Sequence, residues 1–490
     1  MNLTTHPYNI DAADSDKFHE ECGVFGIIGS PDAAANTVLG LHALQHRGQE
    51  AAGIVTHDAG QFYSHRSLGQ VGDNFNSEAV ISSLPGDAAL GHNRYATTGE
   101  TVLRNVQPLF ADLESGGFAI GHNGNLTNAR QLRRELVHRG SLFQSTSDTE
   151  VIIHLIATAA SGTVLDRMVE ALGQVRGAYS LVALANETMI GLRDPCGVRP
   201  LVLGRLEGAH ILASETCALD IIGAKFVRDV EPGEIVVIGG DGLTSFKPFA
   251  PKPKRFCVFE YIYFARPDST VDSISVYEAR CRIGAELARE QPVEADVVIP
   301  IPDSGVPAAL GYSREAGIAY EIGIIRNHYV GRTFIEPTEQ IRHLGVRLKH
   351  NANRNVITGR RVILVDDSIV RGTTSTKIVE MVRNAGATEV HMRVASPPTT
   401  HSCYYGVDTP ERDELLAARH NVEEMMRLIG VDSLAYLSLD GLYRALGETR
   451  RDADLPQYCD ACFSGDYPIP LVDREGGETD GQLSLLTQVP

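Results

Sequence analysis

Val362-Ile363-Leu364-Val365-Asp366-Asp367-Ser368-Ile369-Val370-Arg371-Gly372-Thr373-Thr374-Ser375 is the stretch on which the fold of this 490-residue chain turns. Its unbroken apolar opening predicts a strand buried on both faces, the habit of parallel sheets covered by helices. Two acids stand at the strand's carboxyl end, where open α/β sheets bind ligands. The Gly/Thr/Ser loop behind them is expected to open onto a helix beginning near Lys377. Small residues let successive backbone N–H groups converge on a phosphate, and a helix N-terminus adds partial positive charge.

Upstream, Val297-Val298-Ile299-Pro300-Ile301 reads as a second strand of the same kind, ending in Pro302-Asp303-Ser304-Gly305-Val306. The Asp366–Ser375 segment resembles the signature of the type I phosphoribosyltransferases. That resemblance implies that Asp366 and Asp367 hold the ribose hydroxyls and a Mg²⁺ ion of phosphoribosyl pyrophosphate (PRPP). It gives the 5′-phosphate to Arg371, Gly372, Thr373, Thr374 and Ser375, and a magnesium-site position to Ser304 in the pyrophosphate loop. By itself Pro-Asp-Ser-Gly is a plain turn sequence. Between the two loops, Arg326 to Arg354 holds six Lys/Arg against two Glu in a chain of formal charge −18. Either it is a solvated surface loop or a lid that closes over pyrophosphate; the anionic substrate favours the lid.

Further upstream the grammar changes. The proline-rich run from Lys247-Pro248 to Pro253-Lys254 reads as a domain boundary. Before it come short apolar runs, Ala52–Thr56, Ala89–His92, Phe118–His122 and Tyr179–Ala185. Helical patterns lie at Asn128–Val137 and Thr149–Ala160, a strand-rich α+β arrangement. Cys22 to Gly29 reads as a buried strand, followed by a helix from Ser30-Pro31 through Ala43 to about Arg47, stopped by Gly48. Asn93-Arg94-Tyr95-Ala96-Thr97-Thr98-Gly99, Gly121-His122-Asn123-Gly124-Asn125 and Ser147-Asp148-Thr149-Glu150 complete the picture.

With Cys22 this set resembles the class II glutamine amidotransferases, a branch of the N-terminal-nucleophile hydrolases. Attack on an unactivated amide needs a thiolate and a base, and a terminal cysteine carries thiol and α-amine on one residue. Residues 1–21 are therefore expected to be a propeptide, cut before Cys22. The resemblance implies that Arg94 binds the glutamine α-carboxylate, that Asp148 binds its ammonium, and that Asn123 with the Gly124 N–H forms the oxyanion hole.

The chain has eight cysteines. No signal-type apolar leader opens it, so reduced thiols or metal ligands are expected before disulfides. Cys459-Asp460-Ala461-Cys462 holds two thiolates within reach of one centre, and no second such pair or histidine pair accompanies it. One iron–sulfur, propeptide-containing subgroup of the resembled family carries a [4Fe–4S] cluster at places matching Cys257, Cys403, Cys459 and Cys462; zinc and unligated thiols are the alternatives. Cys196, Cys217 and Cys281 read as packing groups.

The two resemblances together point to a glutamine-dependent PRPP amidotransferase. Its expected parts are a propeptide (1–21), a four-layer αββα domain (22–250), an α/β phosphoribosyltransferase domain with a mostly parallel sheet (251–470) and a flexible tail (471–490). The implied partners are glutamine, PRPP and purine-nucleotide inhibitors, in a cytoplasmic homotetramer. Net charge −18 argues against nucleic-acid or membrane-surface binding. Two rivals stand beside it: another class II amidotransferase, opposed by the Asp366-Asp367 loop, and a non-catalytic PRPP-sensing regulator, opposed by Cys22 and by the acidic charge.

Overall fold

The computed structural model describes residues 22–95, 102–160, 162–327 and 350–475. The expected propeptide, most of the expected lid and the end of the tail lie outside them.

Alternation along Gly23–Ile28 shows how the first half is layered. Phe25 and Ile27 point to one face, where they meet Leu41 and Leu44 from the helix Ala33–Ala43 and its exit. Val24 points to the other, against Val182, Leu184 and Met189 of a second sheet. Seven antiparallel strands make the first sheet, with Gly23–Ile28 between Ala88–Arg94 and Ala209–Ala213. Six antiparallel strands make the second, with Gly116–Leu126 and Gly177–Ala185 near its middle. The helices Ala129–His138, Thr149–Thr158 and Val164–Gln174 cover its outer face through Leu132, Ile156 and Met168. The order is helix, sheet, sheet, helix, the four-layer arrangement expected.

After Gly242–Phe246 the chain runs mostly exposed through Lys247–Lys254, with Phe249 half-buried against the first unit, and enters the second unit at Phe256. There Val297–Pro300, Arg361–Asp366, Glu389–Val394 and Ser433–Tyr436 form one parallel sheet in sequence order. Val362 and Leu364 pack on the side of the helices Thr373–Asn384 and Val422–Ile429. Ile363 and Val365 pack on the side of Val276–Glu290 and Val306–Ala316. Both faces are buried, which is why these strands read as continuous apolar runs.

Three expectations are corrected. The helix after the Asp366-Asp367 loop begins at Thr373, not near Lys377. Gly372, at φ +84°, turns the chain straight into it, and the Thr376 hydroxyl donates to the Gly372 carbonyl at 2.9 Å. The low helix propensity of Thr and Ser is overridden by this local geometry. The helix expected from Ser30 to Arg47 is Ala33–Ala43, and a separate 3₁₀ turn covers Gln45–Arg47 before Gly48 leaves extended. Finally, the tail expected to be loose from 471 opens with the short helix Val472–Glu475, docked on the first unit. The Asp473 carboxylate accepts the N–H groups of Arg130 and Gln131 at 2.8 and 3.0 Å, satisfying free donors at that helix start.

Candidate active site

Register places Cys22, the expected nucleophile. Gly23 pairs with Asn93, so Cys22 lies beside the carboxyl end of Ala88–Arg94, and its Sγ is 3.5 Å from the Tyr95 carbonyl oxygen. Cys22 is buried; burial pushes its thiol up, the Arg94 guanidinium acts against that, and Asp148 adds to it. The structure thus brings Cys22, Arg94 and Asp148, far apart in sequence, into one electrostatic neighbourhood. Across the sandwich, the His92 ring Nε2 lies 3.0 Å from the His122 carbonyl oxygen, tying the two sheets together next to this site. Burial drives the His92 imidazole down to about 3, so that ring stays neutral and holds the sheets without a charge.

Asn123 and Gly124 stand near the end of Gly116–Leu126. The Asn123 amide is fully buried, and neither Oδ1 nor Nδ2 has a protein partner. A lone buried amide costs on the order of 1–3 kcal/mol, so this group awaits something. Asp148 precedes the helix Thr149–Thr158 and is held by the Leu126 N–H at 3.0 Å. Ala96 to Gly99 of the quoted motif lie outside the described residues.

The second site forms where two strands end side by side. Asp366 and Asp367 are both buried, the Asp367 N–H donating to Asp366 Oδ1 at 3.0 Å and the Ser368 hydroxyl to Asp367 Oδ1 at 2.6 Å. A Cβ on Gly305 would lie 2.4 Å from the Val365 carbonyl oxygen, so only glycine lets the Pro302–Gly305 loop press against the strand carrying the acids. Ser304 is half-buried in that loop, and Asp303 pairs with Arg326 at 2.5 Å. Of the loop behind the acids, Ser375 is buried in the first helical turn, Thr374 half-buried and Thr373 exposed. Arg371 pairs with Glu414 at 3.0 Å. The two ends of the basic segment are strands, Ile324–Arg326 paired antiparallel to His350–Ala352; residues 328–349 lie outside the described set.

Four cysteines gather elsewhere in the second unit. Cys257 and Cys459 sit in register on a short parallel strand pair. Burial pushes the Cys459 and Cys462 thiols well up, and repulsion from Cys257 and Cys403 raises both further. Among the described residues no three His, Cys, Asp or Glu side chains converge as a site for one ion. Cys196 and Cys217 are buried and Cys281 is half-buried.

Sequence reading missed the residues that join these sites. The Asn125 amide donates to the Tyr404 carbonyl at 3.0 Å, and a Cβ on Gly406 would lie 2.9 Å from the Gly124 Cα. Burial pushes the Asp408 carboxyl up, Glu50 adds to that, and Arg371 with a hydrogen bond to Tyr95 acts against it. Arg280 is buried, donates to the Tyr261, Tyr263 and Ala265 carbonyls, and faces the charge of Asp367. No local motif marks any of these: Asn125, Gly406 and Asp408 depend on partners far away in sequence, and Arg280 on carbonyls 15 to 19 positions before it.

A glutamine amidotransferase domain model matches residues 92–220, and a phosphoribosyl transferase domain model matches residues 275–406. An amidophosphoribosyltransferase of Rhizobium etli is 58% identical over 482 residues, 97% of each chain. One from Bacillus subtilis is 48% identical over 454 residues, 92% of this chain and 95% of that one. The solved structure of a Bacillus subtilis glutamine PRPP amidotransferase complexed with ADP and GMP superposes with a TM-score of 0.87 at 47% identity. It covers 92% of this chain and 98% of its own. Two candidate sites in two units, one built around a cysteine and one around paired acids, agree with this likeness over nearly the whole length: the chain belongs to the amidophosphoribosyltransferase family.

Proposed function

We propose that this chain carries out the family's reaction with the residues named from its sequence. Cys22, freed as an N-terminus by loss of residues 1–21, attacks the glutamine amide, its own α-amine taking the thiol proton. Arg94 holds the substrate carboxylate and Asp148 its ammonium. The oxyanion takes the Gly124 N–H and the Asn123 amide. The observation that carries this reading is the fully buried Asn123 side chain with no protein partner. A developing oxyanion supplies that partner only in the reacting complex, which is how a preorganised donor accelerates a reaction.

Released ammonia passes along the Tyr404–Asp408 segment, which touches Asn125 and Gly124 at one end and faces Arg371 at the other. Containment matters because ammonium in bulk water at neutral pH is not a nucleophile. Ammonia then attacks C1 of the sugar and displaces pyrophosphate, giving 5-phosphoribosylamine and glutamate. Arg371, Gly372, Thr373, Thr374 and Ser375 bind the 5′-phosphate, and the basic segment 326–354 closes as a lid.

Buried adjacent carboxylates suit a divalent cation, so Asp366, Asp367 and Ser304 fit a Mg²⁺ that would neutralise the departing pyrophosphate. The four-cysteine set fits a [4Fe–4S] cluster better than zinc. The one C-x₂-C pair has neither a second such pair nor a histidine pair beside it, unlike a zinc ribbon. Bound iron would replace thiol protons that burial makes hard to remove. The same proposal includes membership of the iron–sulfur, propeptide-bearing subgroup, with domains at 22–250 and 251–470. A cytoplasmic location belongs to the same proposal, and eight cysteines without a disulfide suit a reducing compartment. Feedback by purine nucleotides is supported by the ADP and GMP of the Bacillus relative, and a homotetramer by the family resemblance alone.

The test separates the two sites. Cys22→Ser should abolish glutamine-dependent synthesis and leave ammonia-dependent synthesis at high pH. Asp366→Asn with Asp367→Asn should remove synthesis from either donor and leave basal glutaminase. Loss of both activities in folded Cys22→Ser would refute the division of labour.

A further inference from the structure

Arg47 is among the largest fully buried side chains in the molecule and lies directly behind the nucleophile's strand. A Cβ on Gly23, the residue after Cys22, would sit 3.5 Å from the Arg47 Cβ. The following Gly48 packs against the backbone of Asn93 and Arg94, and the Glu50 N–H donates to the Arg94 carbonyl at 3.2 Å. The stretch Arg47–Glu50 therefore backs both Cys22 and Arg94, with Arg47 on the Cys22 side.

Its guanidinium reaches out of the first unit. Nη1 and Nη2 donate to the two oxygens of Glu260 at 3.2 and 2.5 Å, a forked pairing across 213 positions of sequence. Glu260 is fully buried and lies in a π-helical turn, Glu260–Phe264, of the second unit. Arg47 Nε bonds Glu215, which also accepts the Ser269 hydroxyl at 2.6 Å and the Arg266 N–H at 2.9 Å. Arg199 approaches Glu260 at 3.5 Å and donates to the Tyr405 carbonyl at 2.8 Å, inside the segment that abuts Gly124. Arg47 and Arg199 thus meet Glu215 and Glu260 across the seam between the units, with buried Arg280 in electrostatic reach of both glutamates and His46 at the edge, 2.6 Å from Glu215.

Such a set has no need of this position for stability alone, since apolar residues fill a core as well or better. What it adds is direction: a fork fixes distance and angle where an apolar contact does not. We propose that Arg47 is a positioning residue held by Glu260, locking the nucleophile's strand to the second unit so that glutamine is hydrolysed only where its ammonia is captured. The proposal rests on Cys22 as nucleophile.

Glu260→Gln keeps the shape and removes the charge. Phosphoribosylamine formed per glutamate released, the glutamine kcat and KM, ammonia-dependent synthesis and Tm are measured on one preparation. The expected result is a product-to-glutamate ratio falling at least twofold, with glutamine kcat reduced roughly tenfold, KM changed less, and ammonia-dependent synthesis kept within twofold. Glu260→Asp, which retains the charge, should recover part of the ratio. An unchanged ratio in folded Glu260→Gln overturns the proposal, and so does an equal fall of all activities tracking Tm. If Glu260→Gln does not fold, Arg47→Lys decides by the same ratio, because it keeps the charge and loses the fork. Cys22→Ser run alongside separates the failures: glutaminase surviving there sinks the nucleophile assignment, whereas its loss with an unaffected Glu260→Gln sinks only the positioning role.

Discussion

Gly406 shows how much of the function rests on a single missing side chain. Its φ is +111°, a conformation that L residues rarely adopt, and an added Cβ would meet three backbone atoms of Gly124 at 2.9 to 3.3 Å. Backbone cannot swing aside as a flexible side chain can. Gly406→Ala should therefore displace the strand end carrying Gly124, whose N–H is the proposed oxyanion donor. Losing one such donor costs a hundredfold or more in well-studied cases, so a partial displacement should lower glutamine kcat roughly tenfold. Ammonia-dependent synthesis should be nearly unchanged, because Gly406 lies at the glutaminase end of its segment. Steady-state rates with glutamine and with ammonium chloride decide it: equal loss of both would place the effect in the fold instead. The residue scale also shows where sequence reading stops. Gly406 sits in Cys403-Tyr404-Tyr405-Gly406-Val407-Asp408, and nothing in that string announces a contact with Gly124.

At the scale of elements, the pair Val276–Glu290 and Val306–Ala316 carries one face of the parallel sheet. These helices touch backbone to backbone: a Cβ on Gly284 would fall 1.8 Å from the Ala308 carbonyl oxygen, and one on Gly311 would fall 1.9 Å from that of Cys281. Helix propensity alone would favour alanine at both places by about 1 kcal/mol, so close packing has outweighed it. Gly284→Ala should force the helices apart and destabilise the second unit by about 1–3 kcal/mol or more, the usual cost of overpacking. Chemical denaturation of the variant checks this; a midpoint at or above the parent's would mean the crossing is looser than described. Val306–Ala316 also follows the Pro302–Gly305 loop, so its displacement should raise the KM for PRPP as well.

At the scale of the molecule, the four-cysteine set joins the entry to the second unit with its end. Cys257 follows the linker and Cys459 lies near the last described turn, and they sit side by side on paired strands. A cluster there closes a loop of roughly two hundred residues, worth on the order of a few kcal/mol in the polymer picture. Anaerobically purified protein is expected to be coloured, with about four irons per chain. No amino-acid side chain absorbs visible light, so any colour would come from the cluster. Air should bleach it, release iron and lower Tm together. One zinc in a colourless protein, or full activity without metal, would overturn the cluster and leave both catalytic assignments in place.

The sequence by itself determined the units and their chemistry. A buried parallel strand must be apolar throughout, the proposed phosphate loop must be small and polar, and the proposed amide-cleaving N-terminus must carry a nucleophile. Each of these demands falls on adjacent residues, so Val362 to Ser375 and Cys22 to Gly29 could be read as they stand. The proline-rich connector, likewise local, marked the change of grammar. Tertiary structure alone decided how the units meet. Arg47 with Glu260, Asn125 with the Tyr404 carbonyl, and Gly406 with Gly124 are separated by 213, 279 and 282 positions. Such pairs leave no periodicity and no spacing, because a buried charge or a close backbone approach is satisfied in space and can come from any part of the chain. The start of the helix at Thr373 belongs to the same class: Gly372 and the packing of Ile378 and Val379 on the sheet outweigh residues that would sooner form a loop.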